Sequence, residues 1–178
     1  MTIKRLMIIS MLLAAAIVIG YLESLIPLFI PGVRLGLANV IILIMLYEFK
    51  FYEALIVDLL RIFIISLIRG TFLSPIFFMA LVGGMLSYLI MLLFTRFKKF
   101  SPIGVSVLGS LFHAVGQIIV AIVLMSTVKI VYYLPFIALL SVVTGIISGL
   151  IAKMYLKRSI TKNFIEGNND FEEENENI

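Results

Sequence analysis

Ala54-Leu-Ile-Val-Asp58-Leu-Leu-Arg61-Ile-Phe-Ile-Ile-Ser-Leu-Ile68 reads as a membrane helix that carries two charges, and counting it or not decides the architecture of the chain. A hydropathy window would mark this run down, because a charge in hydrocarbon is costly. Leaving it out, however, places the two ends of the chain on opposite sides of a bilayer and spoils the distribution of its basic residues. We therefore count it. Working outward from it, apolar runs extend over residues 6–25, 35–46, 54–68, 72–94, 103–125 and 131–154, separated by short polar breaks. The expected fold is all-α: a polytopic bundle of six transmembrane helices. The second run is short, and extends back to Val33 or forward through Tyr47 if it is to span.

Composition agrees. The chain is 62% hydrophobic and 13% charged, with a mean hydropathy of +1.20, outside the range of a soluble domain of this length. There is no cysteine and one histidine, so disulfides, thiolate metal sites and histidine clusters are excluded. No metal, cofactor or nucleic-acid partner is expected.

Six spans separate the basic residues cleanly. Lys4, Arg5, Lys50, Arg96, Lys98, Lys99, Lys153, Lys157, Arg158 and Lys162 fall on one side; Arg34, Arg69 and Lys129 fall on the other; Arg61 lies inside. Cytoplasmic ends carry the excess of Lys and Arg, so both termini are expected in the cytoplasm of a multi-pass plasma-membrane protein. The first run follows Lys4-Arg5 as a signal peptide would, but Tyr21-Leu-Glu-Ser-Leu-Ile-Pro27 offers no small-x-small cleavage site, and we read it as a retained helix. Residues 1–160 form the membrane domain. Residues 161–178, rich in Asn and Glu, have no periodic apolar face and are expected to be a disordered acidic cytoplasmic tail.

With odd helices running outward, the polar residues acquire depths. Glu23, Arg34, Asn39, Arg69, Lys129, Tyr132 and Tyr133 lie toward the outer face. Arg61 sits roughly 16 Å into the bilayer, counted from Lys50 at ~1.5 Å per residue. His113 and Gln117 share a face of the fifth helix one turn apart. An outward-facing cavity lined by Glu23, Arg34, Asn39, Arg61, His113 and Gln117 accounts for these positions economically. In Pro31-Gly-Val-Arg34-Leu-Gly36-Leu-Ala-Asn39 a cation, two glycines and an amide precede a helix start, where backbone and dipole favour an anion. The segment from Glu23 to Arg34 would gate the cavity.

Structural readings stand beside these. Asp58 and Arg61, three apart, suit a mutually neutralising pair as well as a ligand contact; His113 and Gln117 suit interhelical hydrogen bonds; Tyr132 and Tyr133 suit an interfacial belt; Arg34 and Arg69 suit loop charges. Ser10 with Ala14, Ala16 with Gly20, and Gly145 with Gly149 are small-xxx-small pairs that serve either internal packing or a partner in the membrane.

Five blocks in order carry a resemblance: Tyr21-Leu-Glu-Ser-Leu-Ile-Pro27; Pro31 to Asn39; Glu53-Ala-Leu with Leu60-Arg61; Ile103-Gly-Val-Ser106 leading to His113-Ala-Val-Gly-Gln117; and Tyr133-Leu-Pro135 with Thr144-Gly145. With them the membrane portion resembles the Gx transporter family, catalogued as heptaprenyl diphosphate synthase component I. That family is in turn similar to the substrate-binding S-components of energy-coupling factor (ECF) importers. The resemblance implies six helices, capture of a small anionic or vitamin-like molecule from outside, and partners in the form of a transmembrane scaffold subunit and two ATPases. It also implies docking through a small-residue face on helix one, where this chain has Val18. The alternative is a non-catalytic membrane subunit associated with heptaprenyl diphosphate or isoprenoid-quinone synthesis, or with a membrane electron-transfer system. An enzyme is not expected. Prenyl transfer holds magnesium diphosphate on aspartate clusters, whereas Asp58 and Asp170 are the only aspartates, and no phosphate-loop motif is present.

Overall fold

A computed structural model of the chain describes residues 3–26, 35–97, 100–126 and 128–158. Arg34, Lys98, Lys99 and the 161–178 tail lie outside the described residues. Within them are six α-helices: α1 Ile3–Ser24, α2 Asn39–Glu48, α3 Phe51–Ile68, α4 Pro75–Arg96, α5 Pro102–Met125 and α6 Leu134–Arg158. A 3₁₀ helix over Val128–Tyr133, whose last three residues fall at the start of the sixth apolar run, precedes α6.

Among the described residues, four helices are long and apolar enough to cross a membrane: α1, α4, α5, and α6 with the 3₁₀ turn before it. Their composition makes the chain a membrane-embedded helical protein. The other two differ for physical reasons. Counted as a span, α3 carries Glu53, Asp58 and Arg61. The 10 residues of α2 cover only about 15 Å at ~1.5 Å per residue, half of a typical hydrocarbon core of roughly 30 Å. Its helix runs forward through Tyr47, as expected, but does not extend back beyond Asn39: residues 35–38 form a turn, with Gly36 at φ 85°. Every residue of α2 from Asn39 to Met45 is buried, so it lies inside the bundle with α1, α3, α4, α5 and α6 around it. A helix apolar on all sides is one that its neighbours cover.

Close packing elsewhere comes from missing side chains. A Cβ on Gly83 of α4 would stand 2.8 Å from the His113 carbonyl oxygen of α5, and one on Gly116 would stand 2.9 Å from the Gly83 Cα. On α6, a Cβ on Gly145 would meet the Val107 Cα at 2.7 Å and one on Gly149 the Ile103 Cα at 2.6 Å. Between apolar helices in lipid, small residues supply the approach that the hydrophobic effect cannot. The small pairs of α1 divide: Ala16 and Gly20 are buried, whereas Ser10, Ala14 and Val18 are exposed. Helix α5 begins on Ser101, whose Oγ accepts the Gly104 N–H at 3.2 Å, with Pro102 at the first position.

Candidate functional site

Asp58 and Arg61, one turn apart on α3, form an ion pair: the Arg61 Nε donates to Asp58 Oδ1 at 2.8 Å, and Nη2 lies 2.7 Å from the same oxygen. Nη2 also donates to Asn39 Oδ1 at 2.7 Å, on the first turn of α2. The Asn39 amide donates on to Ser87 Oγ of α4 at 2.9 Å. A four-residue polar chain thus crosses three helices. Gly84 permits it from the α4 side, since a Cβ there would reach 3.4 Å from Asp58 Oδ2 and 2.7 Å from the Ile62 side chain. Asp58 Oδ2 is buried and has no hydrogen-bond partner among the described residues.

At the other edge, Glu23 ends α1 by accepting the Gly36 N–H on Oε1 and, at 3.5 Å, the Ala38 N–H on Oε2. The left-handed Gly36 is what lets the backbone turn these donors toward one carboxylate. The contact answers the anion preference expected at the start of α2 with a carboxylate from the chain itself. From α6, the Thr144 hydroxyl reaches the Leu35 carbonyl at 3.2 Å and fixes the entry to the same turn. On α5, His113 Nε2 and Gln117 Nε2 are 2.9 Å apart.

Glu23, Asn39, Arg61 and His113 line one cavity with Gly20, Gly36, Ala38, Ile62, Ile65 and Ala80, so four of the six residues expected at a site come together. Gln117 stands one step back, behind His113. Arg34 lies outside the described residues. None of Glu23, Asn39, Asp58, Arg61, Ser87, His113 and Gln117 is more than 5% exposed. The cavity measures about 20 Å³, room for a water, whereas sites for organic ligands run to roughly 300 Å³ and above. Asn39 and Asp58 occupy Nε and Nη2 of Arg61; Nη1 donates to nothing among the described residues. The described lining and its first neighbours hold two carboxylates and one guanidinium. No group of three or more metal-ligating side chains occurs among the described residues.

Sequence reasoning missed Ser87 and gave Asp58 no place among the site residues. A serine three positions after a glycine pair, in an otherwise apolar helix, was the available signal for Ser87.

Residues 12–155 match the family model described as heptaprenyl diphosphate synthase component I. The chain belongs to this family. The match begins in α1 and ends in α6, so every polar group of the cavity lies within the component I region. Neither a curated protein nor a solved structure matches the chain.

Proposed function

We propose that this component I protein is a membrane transport component that captures a small molecule carrying an acidic group, in the manner of an S-component. The observation behind this reading is the burial, inside an apolar bundle, of Arg61, whose Nη1 has no acceptor among the described residues, on a cavity shared with Glu23, Asn39 and His113. Charges held within membrane helices are costly, and they pair with one another or mark ligand paths. In this mechanism the acid group of the ligand takes Arg61 Nη1, while Asn39 and His113 hydrogen-bond its remaining polar atoms. Because the cavity holds only a water, entry requires the end of α1 to move aside, with Glu23 releasing the Gly36 and Ala38 N–H groups. Binding and release involve no covalent step.

The same reading has six spans, both termini on the cytoplasmic side of the plasma membrane and the cavity toward the outside. Its support is the segregation of Lys and Arg. Energy for transport would come from a scaffold subunit and ATPases, since the chain carries no phosphate loop.

The test is native mass spectrometry of gently purified protein. Wild type is expected to release a bound small molecule, and Asp58→Asn/Arg61→Met, which removes both charges of the pair, is expected to remain folded without it. A folded double variant that keeps the molecule would overturn the assignment. Co-purifying scaffold and ATPase subunits would add the energising partners.

The family description favours a second reading: a non-catalytic membrane subunit beside a heptaprenyl diphosphate synthase. Two aspartates, one of them ion-paired, give no cluster for a magnesium diphosphate, so chemistry would lie with the partner. Deletion would then alter quinone side chains and leave uptake normal.

A further inference from the structure

A second cavity lies at the end of the bundle where α2 hands over to α3 and α4 finishes. It measures about 270 Å³, more than ten times the volume of the cavity at Arg61. Its walls are aromatic and aliphatic, from Tyr47, Phe49 and Phe51 on the α2–α3 turn and Leu92 on α4, and Thr95 and Arg96 bring polarity to it. Arg96 is exposed and makes no hydrogen bond or ion pair among the described residues. That distinguishes it from Arg5, nearby on the same end, which is committed to Glu53 at 2.7 Å and stacks on the Phe49 ring at 5.6 Å. Lys50, between the lining residues Phe49 and Phe51, holds its ammonium 5.7 Å from the Tyr52 ring. Along α4, Leu89, Leu93 and Arg96 fall on one face at helical spacing, and both leucines are more than half exposed. The cation therefore stands at the head of an open apolar stripe that runs into the membrane.

We propose that this cavity binds the phosphate-bearing head of an amphiphile, with Arg96 on the phosphate, the Tyr47–Phe51 aromatics around the head and the tail laid along Leu93 and Leu89. A cation with no partner among the described residues, a cleft of headgroup size with aromatic walls, and an exposed apolar stripe leading away from it together call for a molecule anionic at one end and hydrocarbon at the other. A phospholipid and a prenyl diphosphate both meet that description. Their shared chemistry is what the site selects. The inference is independent of ligand capture at Arg61, which uses another cavity and other residues of α2, α3 and α4.

The test is native mass spectrometry of the full chain in a neutral detergent, titrated separately with phosphatidylglycerol, farnesyl diphosphate, diacylglycerol and inorganic diphosphate. Wild type is expected to retain at least one of the two phosphate amphiphiles, the better retained naming the source, and to retain diacylglycerol and inorganic diphosphate poorly. Arg96→Gln is expected to weaken retention about five-fold, as loss of one interfacial cation does, and Arg96→Lys to restore most of it. Thr95→Trp, which fills the cleft but keeps the charge, is expected to abolish it. Equal retention by wild type, Arg96→Gln and Thr95→Trp would overturn the proposal. So would inorganic diphosphate binding as well as the amphiphiles.

Discussion

Arg61 donates to Asp58 within its own helix and to Asn39 across to another, and the two bonds have different consequences. Loss of either charge strands the other in a low-dielectric interior, which costs about 3–5 kcal/mol, whereas replacing both with well-packed neutral groups is often close to neutral. Asp58→Asn and Arg61→Ala should each lower the unfolding midpoint markedly in detergent, while Asp58→Asn/Arg61→Met should recover most of it. A double variant no more stable than the singles would show that the pair contributes more than mutual neutralisation. Asn39→Ala removes the acceptor for Nη2 and the donor to Ser87 without stranding a charge, so a smaller loss, about 1–3 kcal/mol, is expected from the unpaired buried groups. At this scale the sequence was informative about Asp58 with Arg61 and His113 with Gln117, because spacings of three and four residues become contacts in any helix. Asn39 meeting Arg61, and Glu23 meeting Gly36, depend on where separate helices lie.

Helix α4 meets α5, and α5 meets α6, backbone to backbone at glycines, which makes these contacts sensitive to one methyl group. Gly83→Ala would push a Cβ to 2.8 Å from a carbonyl oxygen that has no freedom to retreat, so a loss of about 1–3 kcal/mol is expected in thermal unfolding. Gly104→Ala is the control. Its Cβ would find nothing nearer than 3.7 Å, and alanine favours helix by up to ~1 kcal/mol over glycine, so stability should hold or rise. On α1, Ala16→Leu should destabilise the bundle and Ala14→Leu should leave the fold intact, because only Ala16 faces inward. Equal effects at both positions would contradict the division of α1 into packed and open faces. The small-residue spacing was visible on both helices, but spacing alone does not say which face is covered.

A cysteine-free chain allows the topology to be read by single-cysteine labelling in cells. With six spans and cytoplasmic termini, Lys129→Cys reacts with a membrane-impermeant maleimide from outside, and Phe100→Cys reacts only after the membrane is opened. Labelling of both residues from the same side would remove the six-span reading, and with it the outward orientation of the Arg61 cavity. The helical class, the membrane setting and most helix boundaries follow from the sequence alone, because apolar content and run length are local quantities that hydrocarbon reads directly. The buried position of α2, the split of the α1 small residues and the near-closure of the polar cavity were decided only by the tertiary structure. Each depends on which neighbour covers a side chain, and in lipid, where all helices are similarly apolar, hydrophobicity does not choose that neighbour; glycine clearances and a few buried hydrogen bonds do.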